Sequence, residues 1–216
     1  MAGVKQYETD IAIVGAGGAG VAAGIEARDA GARAIAFEKG SEIGGAAIIS
    51  GGGCLIVGSP LQKENGIHDT PDLAFKDWIA WGGPSTDVVW ARYYIEHTLH
   101  DLYHWAERLG VKWVDLKVQE GNSVLRWTRP ERNGLGLMTH LIESFRKKGG
   151  EIISETEITA LRLEGTAFWK NTDGGCASSV TSRAARSKPN TSMRTASSTA
   201  FPVLRRSSWS TRSILS

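Results

Sequence analysis

An α/β fold built around a parallel sheet is expected for the first 165 of the 216 residues, and three observations predict it. The apolar run Ile11–Val14 passes at once into a glycine-rich stretch. A pattern of small residues at helical spacing follows and leads to a second apolar run, Ala34–Phe37, which closes on an acid. Near residue 165 the balance of charge and side-chain type changes abruptly, so the same architecture is not expected beyond it.

Each element has a local reason. Ile11-Ala12-Ile13-Val14 is a continuous apolar run of the kind buried on both faces of a parallel sheet. Val21 to Ala30 reads as a helix whose alanines and Gly24 permit close approach to a sheet, and Gly31 suits its C-terminal end. Ala34-Ile35-Ala36-Phe37 is the second strand. Residues 87–110 read as one amphipathic helix with Val88, Ala91, Ile95, Leu99, Leu102, Ala106 and Leu109 along its apolar stripe. A helix over 137–148 and a strand over 151–163 complete the pattern.

Composition removes several classes. Hydrophobic residues make up 41% and charged residues 22%, as in ordinary globular chains rather than disordered ones. No apolar run is long enough for a membrane-spanning helix. The opening residues lack a signal peptide's apolar core, so a cytoplasmic location is expected. Two cysteines, Cys54 and Cys176, cannot form a disulfide framework or a cysteine zinc site.

The glycine-rich stretch carries specific chemistry. Gly15 permits a tight turn off the first strand, Gly17 allows a pyrophosphate close to the backbone, and Gly20 lets helix and strand pack together. Between them Ala16, Gly18 and Ala19 bring amide groups to a helix N-terminus, which favours anions without any basic side chain. Glu38, followed by Lys39, ends the second strand where a carboxylate can accept both hydroxyls of an adenosine ribose. Together these mark a Rossmann-like dinucleotide-binding unit. A second glycine-rich stretch follows: Gly44, Gly45, Ala46, Ala47, Ile48, Ile49, Ser50, Gly51, Gly52 and Gly53. So little side chain lets backbone amides face a large planar ligand. Simple nicotinamide-binding domains do not need it.

The order of these motifs resembles the FAD-binding domain of the fumarate reductase/succinate dehydrogenase flavoprotein family, which also includes ketosteroid dehydrogenases. The resemblance continues through Trp105–Val111, Arg129-Pro130, Gly134 and Gly136 to the strand containing Ile158, so that it covers roughly residues 7–165. It implies FAD as cofactor, held by Gly15, Ala16, Gly17, Gly18, Ala19, Gly20, Glu38, Lys39, Gly44, Gly45, Ala46, Ala47, Ser50, Gly51, Gly52 and Ile158. It also implies hydride transfer through flavin N5 to or from an activated alkene or alkane, acting on a small-molecule substrate. The stretch departs from the family in two respects. Ala46 and Ala47 stand where it usually has hydroxyl residues. Gly45 stands where respiratory members attach FAD through a histidine, so noncovalent FAD is expected. The family's capping domain and its catalytic Arg and His residues have no counterpart in 166–216, so no catalytic residue is assigned and this chain is expected to be inactive. A nicotinamide dehydrogenase or a non-catalytic chain are the alternatives.

Residues 1–165 hold 17 basic and 22 acidic residues, whereas 166–216 hold eight basic residues and one acid, with 12 Ser and seven Thr. The later segment has no helical or strand periodicity and is expected to be disordered. A basic arm for nucleic acid is one reading, but its arginines are scattered and its lysines are two. A lost reading frame, giving a sequence foreign to the family, fits the abruptness better. Neither a nucleic-acid partner nor a membrane segment is expected, and the electron-transfer partner is unknown. His97, His100 and His104 fit an exposed polar helix face better than a metal site, so no metal is expected. Trp78, Trp90, Trp105 and Trp113 are read as packing residues, and Cys54 as an inert small hydrophobe. Arg129 is a candidate contact to substrate or cofactor, with a structural ion pair as the equal alternative.

Overall fold

The computed structural model describes residues 5–163 and 178–184. The chain divides into two compact units, Met1–Ile43 with Phe145–Ser216, and Gly44–Ser144. Residues 1–165, read as one domain, contribute to both.

The first unit holds the parallel sheet. Strand β1 (Ile11–Val14) pairs with β2 (Ala34–Phe37), and β2 pairs in parallel with β6 (Glu151–Ile153). β2 is central and all four of its residues are buried. Helix α1 (Gly18–Asp29) connects β1 to β2 and starts three residues earlier than its apolar pattern suggested. It buries Val21, Gly24, Ile25 and Ala27. Gly24 is bare for a packing reason: a Cβ there would sit 2.7 Å from the ring of Phe145, which is itself fully buried. Gly150 yields space to the same ring, where a Cβ would come within 2.0 Å. Arg28 fixes the helix end by donating through Nε to the Lys148 carbonyl at 2.7 Å.

The expected strand over 151–163 is two strands. Glu155, at φ 52°, breaks it, and β7 (Thr156–Leu163) leaves the parallel sheet to pair antiparallel with β8 (Ser178–Ala184). β8 lies inside the segment expected to be disordered. There the backbone of β7 supplies an edge to pair with. The rest of that expectation, 166–177 and 185–216, lies outside the described residues, as does Cys176.

The second unit contains an antiparallel sheet ordered β3 (Cys54–Leu55), β5 (Trp127–Pro130), β4 (Trp113–Lys117). Short helices α2 (Gly45–Ile49) and α3 (Pro60–Glu64) precede α4 (Pro71–Gly82), and a single 3-10 turn links α4 to α5 (Val88–His97). Asp87 caps α5, its carboxylate accepting from the Val89 and Trp90 amides at 3.0 Å. The helix expected over 87–110 passes through a π-helical stretch, Thr98–His104, before α6 (Trp105–Arg108). A π turn adds a residue to the step between neighbours on one face. The buried set therefore runs Ala91, Ile95, Thr98, Tyr103 and Ala106, so that Tyr103 takes the place expected for Leu102, while Val88 is exposed. Thr98 joins this turn to the chain after β3, its hydroxyl accepting from the Val57 amide at 3.1 Å. Helix α7 (Asn133–Lys147) begins four residues before the expected position.

Trp113 is buried and stacks on Tyr103 at 5.4 Å, and Trp78 packs against Tyr94. Trp90, expected to pack, is instead 67% exposed, because α5 turns Ala91 and Ile95 inward.

A buried ion network ties the helical part of this unit to the residues before β5. Arg126 is fully buried and donates to both carboxylate oxygens of Asp69, at 3.0 and 2.9 Å, and to Asp77 at 2.5 Å. Gln62 adds a bond to Asp69 at 2.8 Å, and Ser123 donates to Asp77 through backbone and hydroxyl. Burial disfavours the Arg126 charge, but bonds to Asp69 and Asp77 outweigh it and hold the guanidinium more firmly protonated than usual. Desolvation opposes the Asp77 charge too; the Ser123 and Arg126 bonds overcome it and keep its pKa below the ordinary 3.8.

Replacing Arg126 with Met leaves two carboxylates without their cation and is expected to cost about 3–5 kcal/mol in denaturant unfolding. The depressed Asp77 value also sets a pH dependence. Its contribution is complete above pH 3.8 and fades as pH falls through the lower folded-state value. Asp77→Asn should therefore lessen the loss of stability measured on acidification below that point. An unchanged acid slope would show that the pair contributes nothing there.

Candidate functional site

In the first unit, β1 delivers the chain to Gly15, whose φ of 93° requires glycine. Its amide donates to the Phe37 carbonyl at 2.8 Å, fixing the turn against β2. Gly20 is bare because a Cβ there would lie 1.9 Å from the Gly15 carbonyl oxygen. Ala16 is fully buried between them. Gly17 is different. Its backbone is extended, at φ −78° and ψ −174°, and a Cβ there would meet no heavy atom within 4 Å. Neither torsion nor protein packing requires a glycine at that position. Gly17 also caps α1 without any side-chain hydrogen bond to the helix N-terminus formed by Gly18, Ala19 and Gly20.

Glu38 stands at the end of β2, held on both sides by backbone bonds: its amide donates to the Ile153 carbonyl and its carbonyl accepts from Thr156, each at 2.8 Å. Its carboxylate reaches the glycine turn. One oxygen accepts from the Ala16 amide and the other from Gly40, both at 2.9 Å. The structure thus brings Glu38 and the first glycine stretch together. A carboxylate oxygen has more than one acceptor site, so these bonds leave capacity for a ligand's hydroxyls. Lys39 is exposed beside it, and Ile158 is half-buried in β7, its backbone opposite Ser182.

In the second unit, the stretch 44–53 forms the short helix α2 between two turns. Gly44 and Gly45 have φ of 113° and 53°, and no residue of α2 is buried. Ala46 and Ala47 lie in this helix, and Ile49 is 86% exposed. Ser50 organises the exit: its hydroxyl donates to the Ala47 carbonyl at 2.8 Å and accepts from the Gly52 amide at 3.0 Å. Gly51 is exposed, with open space where a Cβ would be. Cys54 follows, half-buried. Burial pushes its thiol up to about 11, which matches an inert small hydrophobe rather than a reactive thiolate.

Arg129 makes an ion pair with Asp115 at 2.7 Å and donates to the Asn133 side chain at 3.0 Å. Lys117 and then Arg129 hold the Asp115 carboxyl below its usual range. The ion-pair reading of Arg129 thus has its partner in Asp115. His100 and His104 face Asp101 and Glu107 at 2.7 and 2.9 Å on an exposed surface, and His97 stacks on Tyr93. Among the described residues, no group of three or more His, Cys, Asp or Glu is placed to hold a metal, and no helix is long and apolar enough to cross a membrane.

Comparison with known proteins gives a consistent picture. The family model described as "FAD binding domain" matches residues 10–206, continuing past residue 165, where the resemblance read from the sequence stops. A fumarate reductase (cytochrome) of Shewanella frigidimarina is 33% identical over 143 residues, 66% of this chain and 25% of that one. An NADH:fumarate oxidoreductase of Klebsiella pneumoniae is 29% identical over 164 residues, 74% of this chain and 17% of that one. The open conformation of a flavocytochrome c3 fumarate reductase superposes with a TM-score of 0.68 at 29% identity, over 72% of this chain and 28% of that one. The 3-ketosteroid-delta4-(5alpha)-dehydrogenase of Rhodococcus jostii gives a TM-score of 0.67 at 26% identity, over 75% of this chain and 41% of that one. The chain spans about a quarter or less of the length of these curated relatives. On the strength of the match over 10–206 and the strand, glycine turn, helix and acid that it contains, the chain belongs to the FAD binding domain family, among relatives that include fumarate reductases and ketosteroid dehydrogenases.

Proposed function

We propose that this chain binds FAD noncovalently and that it represents the cofactor-binding part of a fumarate reductase-like oxidoreductase. Gly17 carries the reading. It is a glycine that the protein's own geometry does not require, placed at an uncapped helix N-terminus, where a ligand phosphate needs the room. The residues present fit the cofactor. The α1 amides and helix dipole hold the pyrophosphate, while Gly15 and Gly20 keep the turn in shape. Glu38 accepts the ribose hydroxyls with the lone pairs that Ala16 and Gly40 leave free. The stretch 44–53 offers backbone rather than hydroxyl groups at Ala46 and Ala47, and Gly45 offers no side chain for covalent attachment. All of these residues lie within 1–165, and the Ser/Thr/Arg-rich segment 166–216 contributes none of them.

When bound, FAD supplies hydride transfer at N5, and the reaction class that goes with the relatives is reduction or formation of an activated alkene. That chemistry also needs a clamp on the substrate, a positioned proton donor and exclusion of water. No described residue is assigned to those tasks, so the 216-residue chain alone is expected to bind FAD without turning over fumarate, succinate or a 3-ketosteroid with an artificial electron carrier. Clear turnover would overturn that expectation and make Arg129 the first residue to test.

Gly17→Val should abolish FAD binding, followed by the visible spectrum of the flavin, while changing unfolding stability by no more than about 1 kcal/mol. Gly20→Val should instead destabilise the protein itself by at least about 1–3 kcal/mol, because its Cβ meets the Gly15 carbonyl. If the Gly17 variant keeps the parent's affinity, the phosphate cradle is assigned wrongly. Acid precipitation should release all the flavin to the supernatant; flavin retained in the pellet would contradict noncovalent binding.

A further inference from the structure

The segment 129–134 concentrates backbone strain and an unpaired buried donor. Arg132 and Asn133 both have left-handed backbones, φ 60° and 58°, although neither is glycine. This conformation costs Arg132 more than Asn133, since asparagine visits the left-handed region more readily than other non-glycine residues, and both must be held there by their surroundings. Within the same segment the Nε of Arg129 is buried without a hydrogen-bond partner among the described residues. Strain and an unsatisfied donor in one turn call for a functional explanation.

What the turn touches supplies one. The Gly134 amide donates to the Ser50 carbonyl at 3.0 Å. A Cβ on Gly134 would lie 2.0 Å from the Ala47 carbonyl oxygen and 2.7 Å from the Ser50 hydroxyl. From the other side, a Cβ on Gly52, which has φ 66°, would lie 2.5 Å from the Gly134 nitrogen and 2.6 Å from the Asn133 carbonyl carbon. Two backbone segments therefore interlock through a pair of bare glycines. The contact closes a circuit: β5 pairs with β3 at the end of the glycine-rich stretch, then runs through the turn back to the middle of that stretch. Arg129 braces the turn from within, bonded to Asn133 at 3.0 Å and anchored on Asp115 of β4 at 2.7 Å.

We propose that the turn 129–134, braced by Arg129 between Asp115 and Asn133, is a positioning element that sets the backbone of the cofactor-facing stretch 44–53 through the Gly134–Ser50 bond and the Gly52–Gly134 interlock. This rests on the reading that 44–53 faces the cofactor. Arg129, Asn133 and Gly134 act through Ala47, Ser50 and Gly52. Their loss should alter the affinity and the visible spectrum of bound flavin, even in a folded protein. The strain at Arg132 and Asn133 is then the cost of bringing the start of α7 down onto the Ser50 carbonyl.

The test uses the full chain titrated with FAD, reading affinity, the shape of the visible flavin bands, and thermal unfolding of the free protein. Gly134→Ala should weaken FAD binding by about tenfold or more and shift the bands. Should that variant fail to fold, the Asn133 pair decides. Asn133→Gly relaxes the backbone but removes the acceptor for Arg129, and should weaken binding and shift the bands while unfolding stays near the parent's. Asn133→Asp keeps an acceptor and should restore both readouts. Parent-like affinity and spectrum in Asn133→Gly would overturn the proposal and leave the turn merely structural. Gly51→Val separates this from failure of the underlying reading, because its side chain enters open space and its torsions do not require glycine. If Gly51→Val binds FAD with unchanged affinity and spectrum, the stretch does not face the cofactor and the proposal falls with that reading.

Discussion

A side chain on Gly20 would begin 1.9 Å from the Gly15 carbonyl oxygen, so β1 and α1 meet as they do only because that position is bare. The glycine turn of the first unit follows from this contact. It goes with a tight turn between strand and helix, in which Gly15 is left-handed. Glu38 then reaches across from β2 and takes the Ala16 amide, so that the acid and the turn hold each other. Most of this is backbone geometry. Pyrophosphate recognition by amides and a helix dipole needs no basic side chain, and within the described glycine turn 15–20 it is Gly17 whose bareness neither torsion nor packing requires.

The second unit uses a different device. Its helices and its sheet are joined by a charge that is fully buried, Arg126, satisfied by two carboxylates and an amide side chain. Such a network stabilises little relative to a well-packed apolar equivalent, but it is costly to break and geometrically exacting. Exacting geometry is useful here, since β5 begins at the very next residue and leads into the turn that meets Ser50 and Gly52. The buried network thus adjoins, through β5 and the turn after it, the stretch proposed to face FAD.

The sequence made the first unit legible because its signals are local. β1 and β2 occur at the residues their apolar runs mark, and the motif between them is a matter of spacing. What it concealed depended on distance or on hydrogen-bond geometry. The π-helical stretch shifts burial from Leu102 to Tyr103, a one-residue change that a 3.6-residue period cannot show. The break at Glu155 rests on one torsion angle. Arg126 has no local carboxylate partner in the sequence; Asp69, which it meets in the fold, is 57 residues away. The Asn133-Gly134 dipeptide is a turn signal, yet its partner at Ser50 has no local trace. Glu38 was recognised as an acid at a strand end, but its bond to Ala16 required the folded turn.

FAD binding by this chain, as proposed, rests above all on a cofactor site formed by the glycine turn and Glu38. Equilibrium titration of the 216-residue protein with FAD, followed by the visible difference spectrum, tests it most directly. Saturable changes in the flavin bands, approaching a single FAD per chain and displaced by ADP through the shared adenosine and pyrophosphate, are the predicted result. Flavin bands that stay those of free FAD at every protein concentration, with no effect of ADP, would contradict it.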